Sequence, residues 1–459
     1  MPLPVTLIFD IGKTNKKVLL FDKQYQLVHE QSKQLEEIKD EDGFPCEDVG
    51  ALTAWVKETF QKIQNDHLFE ITAVNVSAYG ASFVHLNYNK QFFLPLYNYL
   101  KPYDEELRKQ FYDTYGGEEN VAKETASPVL GHLNSGMQLY WLKHKRPEQY
   151  VNIGYSLHLP QYIAFVLCGA LYSDITSIGC HTNLWSFKLH NYHEWVYGEG
   201  INKKFAPIIS CTEIAGNIGN NIPVGCGLHD SSAALIPYFN SFDEPFVLLS
   251  TGTWSISINP FNHTTLTTNE LRQDCLSFLS YRGDAVKAAR LFAGYEHEQQ
   301  VKRIAAHYNT SPDYYKTMVY DASLCNKLHW VGPEEVDSKT AMIAQSFFGR
   351  RNLQDFETFE EAYHQLIFDI IKQQVQSTKL VINGRPVRKI FVDGGFSKNE
   401  VYMNLLASAF PHIEVYSATV AQASALGAAI AIRKGCNDNE LPDNLITVKR
   451  YQPSFDIVL

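Results

Sequence analysis

Residues 9–15 read FDIGKTN, and Gly12-Lys13-Thr14 is the tripeptide that ends the commonest phosphate-binding loop of proteins. That loop also needs a glycine five residues before Gly12, where this chain has Leu7, and a helix after the threonine. Here NKKVLLFD follows, which reads as a strand. The stretch is therefore strand, polar turn, strand: a β-hairpin whose tip carries a glycine and the side chains of Lys13, Thr14 and Asn15. Such a tip can aim backbone N–H groups at an anion without a helix dipole. Half a chain later, PFVLLSTGTWSISIN repeats the plan, with Thr251, Gly252 and Thr253 in the turn. Two phosphate-compatible hairpins, one opening each half, carry more weight than either alone.

A third stretch, GLHDSS over 227–232, runs a glycine turn into Asp230, Ser231 and Ser232 at the head of an apolar helix. By itself Asp230 reads as a helix-capping carboxylate. Ionised, it can also accept a proton from a hydroxyl group. A fourth, VDGGFSKN over 392–399, is a strand, a glycine turn at Gly394 and Gly395, and Asn399 opening a helix.

The elements that must position these groups follow from pattern. A helix is expected near 52–64, the strand ITAVNVSAYG ends in Gly80, and SFVHLNY is the next strand. Helices follow near 104–114 and 135–145, then SLHLPQYIAFVLCG, closed by Gly169. SFDEP over 241–245 is the best joint between two halves. ETFEEAYHQLIFDIIKQQVQS reads as a long amphipathic helix. The last stretch, IEVYSATVAQASALGAAIAIRKG, is a strand and an Ala-rich helix capped by Gly435. Strands alternating with helices in this way give an α/β fold, and 459 residues call for two large domains.

Composition excludes several classes. Apolar residues make up 45% of the chain, enough for packed cores. The net charge of −10 and the lack of a long basic run give no footing for nucleic acid. Eight cysteines without a C-x-x-C spacing read as reduced thiols. No apolar stretch approaches the ~20 residues that span a bilayer, and no signal peptide precedes Asp10, so a soluble, cytoplasmic protein with no membrane partner is expected.

Taken in order, the hairpin at 9–15, GLHDSS, STGTW, VDGGFSKN and AQASALGAA resemble the FGGY carbohydrate kinases, within the actin-like and hexokinase-like ATPase superfamily. The HD before a hydroxyl residue and the TGTW look most like the branch of the L-rhamnulose and L-fuculose kinases. The resemblance implies two ribonuclease-H-like domains, 1–240 for the sugar and the catalytic carboxylate and 241–459 for adenosine, with an active-site cleft between them. It implies ATP and Mg²⁺ as cofactors and transfer of the γ-phosphate to a terminal hydroxyl of a ketose or deoxyketose. The partner is a small-molecule sugar, and a homodimer is compatible with the family.

By the same resemblance Gly12, Lys13, Thr14 and Asn15 surround the β- and γ-phosphates, Asp10 holds Mg²⁺ through water, and Thr251, Gly252 and Thr253 approach the phosphates from the second domain. Asp230 is the general base. Tyr79, Gly80, Ser82 and His229 meet the sugar, while Gly394, Gly395 and Asn399 meet the nucleoside. Four positions depart from the family pattern: Ser82 and Gln161 stand in place of Asp, Phe396 in place of a glycine, and Gln422 in place of Glu. Arg290 is a further candidate contact, and Asp104 is either a sugar contact or a helix-starting charge. A catalytically weak sugar-binding regulator on the same fold is the alternative.

Overall fold

A computed structural model describes residues 1–219, 221–330, 346–437 and 439–453. The apolar runs on either side of the first polar turn form β1 (Leu3–Ile11) and β2 (Lys16–Phe21), antiparallel, with Asp10 opposite Lys17. The Gly12 N–H donates to the Asn15 carbonyl at 2.9 Å and closes the tip. β3 (Leu27–Lys33) continues the meander. The chain then crosses over through α1 (Val49–Gln64), started by Asp48 accepting from the Ala51 N–H, to β4 (Phe69–Ala78), parallel to β1. β5 (Phe83–Asn87) pairs with β6 (Ile153–His158) in a separate ribbon. Between them lie α2 (Glu105–Thr114) and α3 (Ser135–Lys145), around a second core rich in aromatics that includes Phe111, Tyr140 and Trp195.

The sequence expectation of one helix from Ser156 is corrected here. Ser156–His158 complete β6, and α4 (Leu159–Cys168) starts only where Pro160 can sit in its first turn. Gly169 ends it in the left-handed region, as expected. β7 (Ile214–Ile218), β8 (Ile222–Gly225) and β9 (Leu228–His229) follow, and β9 hands directly into α5 (Asp230–Ser241). The sheet order is β7-β8-β4-β1-β2-β3, with β9 also parallel to β4.

The second hairpin is β10 (Phe246–Thr251) and β11 (Ser255–Asn259). After β12 (Cys275–Leu279), β13 (Ala285–Leu291) pairs antiparallel with β11. Helices α6 (Ala293–His307) and α7 (Phe359–Ile382) lead to β14 (Lys389–Gly394), parallel to β10. α8 (Glu400–Ala409), β15 (Glu414–Thr419), α9 (Ala423–Ala431) and β16 (Thr447–Tyr451) complete the chain. The sheet runs β12-β13-β11-β10-β14-β15-β16.

The wiring of β3-β2-β1-β4 recurs in β13-β11-β10-β14: two antiparallel steps, then a parallel one. The internal repeat read from the turns is thus a repeat of topology. α7 departs from the amphipathic expectation, because its polar face is buried as well. Gln374 Nε2 donates to Ser257 Oγ at 2.9 Å, and Asp369 takes two hydrogen bonds from Arg351 at 2.7 and 2.8 Å. Gly435 lies beyond the α9 cap, which is Ile432.

The chain falls into two compact units. One comprises Met1–Ser241, Ser277–Ala285 and Ala421–Leu445; the other Phe242–Leu276, Val286–Val420 and Ile446–Leu459. α9 therefore belongs with the first unit. Among the described residues no helix is long and apolar enough to cross a membrane.

Candidate active site

In the first unit, the parallel strands β1, β4 and β9 end side by side and bring their last residues together. Asp10, near the end of β1, accepts hydrogen bonds from Ser424 Oγ at 3.2 and 3.1 Å. Burial pushes its carboxyl up to about 6, helped by the charge of Asp230 and opposed by Ser424, Ser77 and Lys17. Asp230 opens α5, where the helix N-terminus favours a negative charge. Its side chain keeps 38% of its surface, yet the protein crowded around it disfavours the charge and pushes its carboxyl up to about 6 as well. The carboxylate expected from sequence to be ionised at this helix start titrates near 6, because the Ser231 hydrogen bonds only partly offset burial.

His229 is buried, and desolvation holds its ring down at about 4, hence neutral. Its Nδ1 accepts from the Ser231 N–H at 3.2 Å. Its Nε2 faces Gly80, where a Cβ would lie only 2.6 Å away, so nothing larger than glycine fits between them. The His229 N–H donates to Thr176 Oγ1 at 2.9 Å, and Thr176 donates in turn to Asp174. Gln161, at a position where the resemblance predicts Asp, donates to the carbonyls of Cys226 at 3.4 Å and Gly227 at 2.9 Å, steadying the run into β9.

The first hairpin tip is held from below. Buried Lys16 pairs with Glu47 at 2.5 Å and donates to the Lys13 carbonyl at 3.0 Å, while the Tyr79 hydroxyl donates to Glu47 at 3.1 Å. Above it, Lys13 pairs with Glu37 at 2.5 Å, Asn15 Oδ1 accepts from Gln34 at 3.1 Å, and Thr14 is exposed. Ser82 is buried beside Ala81, whose φ is +59°. Gln422 accepts from Lys17 at 3.0 Å and donates to Glu30.

In the second unit, the Gly252 N–H donates to the Trp254 carbonyl at 2.8 Å. Thr251 Oγ1 donates to the Asp393 carbonyl at 2.5 Å and accepts from the Phe396 N–H at 3.0 Å, tying the hairpin to the Gly394-Gly395 turn. Gly394 has φ +88°, and a Cβ there would stand 1.9 Å from the Thr251 carbonyl oxygen. A cavity of about 620 Å³ opens beside these turns, lined by Gly252, Thr253, Gly395, Asn399, His297 and Tyr315 among others. Asn399 caps α8 by accepting from the Tyr402 N–H at 3.1 Å, and it donates to the Tyr363 hydroxyl at 2.7 Å. Phe396 packs flat on Tyr402, ring centroids 4.4 Å apart, at the edge of this cavity. Arg290 is engaged twice by Asp274, at 2.7 Å each.

Residues 5–236 match the FGGY family of carbohydrate kinases, N-terminal domain, and residues 243–440 match the carbohydrate kinase FGGY, C-terminal domain. The chain belongs to the FGGY family of carbohydrate kinases. Within this family it is 26% identical over 275 residues to a probable L-xylulose kinase of Pasteurella multocida, covering 54% of each. To the rhamnulokinase of Klebsiella pneumoniae it is 25% identical over 276 residues, covering 55% of this chain and 54% of that one. The chain thus spans about half the length of the curated relatives it matches. A carbohydrate kinase from Novosphingobium aromaticivorans shares the FGGY fold with a TM-score of 0.80 and 24% identity, over 99% of this chain and 95% of that one.

The first unit gathers Asp10, Gly12, Lys13, Thr14, Asn15, Tyr79, Gly80, Ser82, His229 and Asp230; the second gathers Thr251, Gly252, Thr253, Gly394, Gly395 and Asn399. Asp104 is an N-cap, accepting from the Leu107 N–H and pairing with Lys145 at 2.7 Å. Sequence reading missed Lys16, Glu47, Asp174, Thr176 and Ser424. For Lys16 a signal exists: a lysine at an inward position of an alternating strand must find a buried partner.

Proposed function

We propose that this chain is an ATP-dependent carbohydrate kinase that transfers a phosphoryl group to a hydroxyl of a small ketose or deoxyketose, such as L-rhamnulose or L-fuculose, in the cytoplasm. The observation that carries the proposal is Asp230. It is a carboxylate titrating near 6 at a helix start, with the neutral ring of His229 beside it and the phosphate-type turn at 12–15 rising from β1, on the other side of β4 from β9 in the same sheet. A base with a pKa just under the working pH is ionised yet still able to take a proton. In this reading Asp230 accepts the proton of the attacking hydroxyl. Backbone N–H groups at Gly12 and the side chains of Lys13, Thr14 and Asn15 cradle the terminal phosphates, joined by Thr251, Gly252 and Thr253. Gly394, Gly395 and Asn399 line the room for the nucleoside.

Asp10 fits a divalent cation: it is a buried carboxylate whose charge is disfavoured by burial and by Asp230, and a cation would relieve both. Mg²⁺ takes few protein carboxylates and keeps several waters, so this one group is enough to hold it. When bound, the ion would offset the charge of the phosphates. The free cysteines accord with a reducing compartment.

The test is sugar-dependent ADP release, followed in a coupled assay across ketoses, aldoses and polyols. Asp230→Asn should lower kcat by about 10²- to 10⁴-fold with the protein still folded. Unaltered turnover in that variant would remove Asp230 from the role of base, and no sugar-dependent ADP release by the parent chain would leave it as a binder rather than an enzyme.

A further inference from the structure

Beneath the turn at 12–15 the first unit buries an ion pair. Lys16, which opens β2, is 1% exposed, and Glu47, just ahead of α1, is 3% exposed. They pair at 2.5 Å. Taking two charges out of water is costly, and apolar residues of similar volume would fill the core at least as well. What the pair holds besides itself gives it a use.

Each partner holds a second group. Lys16 Nζ donates to the Lys13 carbonyl at 3.0 Å, and Glu47 Oε2 accepts from the Tyr79 hydroxyl at 3.1 Å. Burial, and then the charge of Glu47, hold that hydroxyl well above the usual tyrosine range, so it stays a donor. The Tyr79 N–H in turn donates to the Ile11 carbonyl at 3.1 Å. Ile11, where β1 ends, and Lys13, inside the turn, are thus both fixed to Tyr79. The first is held by its backbone, the second through Lys16, Glu47 and its hydroxyl.

The consequence for the turn follows from peptide geometry. A trans peptide is planar, with its C=O and N–H on opposite sides, and no cis bond occurs among the described residues. Lys16 draws the Lys13 carbonyl inward, so the Thr14 N–H of the same peptide faces away from the core. Thr14 is exposed, and its N–H has no acceptor among the described residues. An outward, unpaired N–H in a glycine turn is a donor for an anion. Lys16 itself is no phosphate ligand, because it is buried and its charge is spent on Glu47.

We propose that Lys16 and Glu47 are positioning residues of phosphoryl transfer, holding the Lys13 carbonyl inward so that the Thr14 N–H is presented to the terminal phosphates of the nucleotide. This rests on the kinase reading above and deepens it.

The experiment compares the full chain with the double variant Lys16→Met/Glu47→Gln, which removes both charges together and keeps an acceptor for Tyr79. Removing one partner alone would strand a buried charge, whereas removing both leaves the core near its parent stability. ATP and AMP binding are measured by isothermal titration calorimetry without sugar. The parent should hold ATP more tightly than AMP. In the variant the ATP Kd should rise about 10- to 100-fold, the worth of a hydrogen bond to a charged group, with the AMP Kd within threefold of the parent. A folded variant with an unchanged ATP Kd overturns the proposal. So does AMP weakened as much as ATP, or a parent that holds ATP no better than AMP. A second measurement uses the parent alone: the Thr14 amide resonance should move with ATP and far less with AMP. A resonance moved no more by ATP than by AMP overturns the proposal even if the double variant fails to fold. Sugar-dependent ADP release separates this inference from the kinase reading. If the variant weakens ATP selectively but no sugar releases ADP from the parent, the positioning stands and the activity falls. If the parent binds no ATP, both fall.

Discussion

Asp10 and Asp230 reach the same acidity along different routes. Asp230 is lifted to about 6 by burial alone, while Asp10 is lifted by burial and then by the charge of its neighbour, with Ser424 and Ser77 pulling the other way. If Asp230 must be ionised to accept a proton and Asp10 to favour a cation, log kcat/KM should fall below about pH 6 with a slope between one and two. The slope distinguishes one essential carboxylate from two. Ser424→Ala removes the two hydrogen bonds that favour ionised Asp10. The acidic limb should then move to higher pH, by up to about one unit. A pH–rate profile of that variant superimposable on the parent's would show that the ionisation of Asp10 does not limit the reaction. The same residues show what sequence can reveal about a site. Asp10, Asp230 and both turns stand in short, glycine-marked stretches whose neighbours announce them. Ser424, Asp174 and Glu47 act from distant positions through contacts that no local pattern encodes.

At the scale of elements, hairpins and the alternation of strands with helices were legible because apolar runs end in turns that only certain residues tolerate. Boundaries were less so: the apolar run through Ser156–Leu159 hides a strand-to-helix change that Pro160 alone marks. One short element has its own consequence. Asp174 caps the helix Ile175–Ile178, accepting from the Ser177 N–H at 3.1 Å and from Thr176, which holds the His229 backbone. Its Oδ2 has no partner among the described residues, and burial pushes the carboxyl up to about 7. The folded protein therefore holds this proton where the unfolded chain, with a value near 3.8, has released it. That contribution to stability is complete below pH ~4 and is lost as pH rises through 7. Asp174→Asn keeps the Oδ1 acceptor without the charge. Relative to the parent, the variant should gain about 2–3 kcal/mol between pH 5 and pH 8, at 1.36 kcal/mol per unit over the two units up to 7. Urea midpoints at the two pH values measure it; parallel pH dependence in the two proteins would place the proton elsewhere.

At the scale of the whole molecule, the repeat of strand wiring could be anticipated from two similar turns, but the discontinuity of the first unit could not. Nothing local in ASALGAAIA says that it packs against residues nearly 200 positions earlier, since that depends on surfaces that exist only after folding. α9 meets α5 so closely that a Cβ on Gly427 would stand 1.8 Å from the Ala233 carbonyl oxygen. The buried Asn75 side chain donates to the Ala428 carbonyl at 2.8 Å. A fragment ending at Ser241 would expose the face of α5, leave Asn75 without that partner and deprive Asp10 of Ser424. Losing a packed helix and a buried hydrogen bond together removes several kcal/mol, comparable to the ~5–15 kcal/mol that holds a domain folded. Residues 1–241 expressed alone should therefore lack a cooperative thermal transition, followed by near-ultraviolet circular dichroism, although the sequence boundary at 240 treats them as a complete domain. A sharp, reversible melt of that fragment would mean that β1–β9 and α1–α5 suffice for a core, and that α9 is an addition to the first unit rather than part of its foundation.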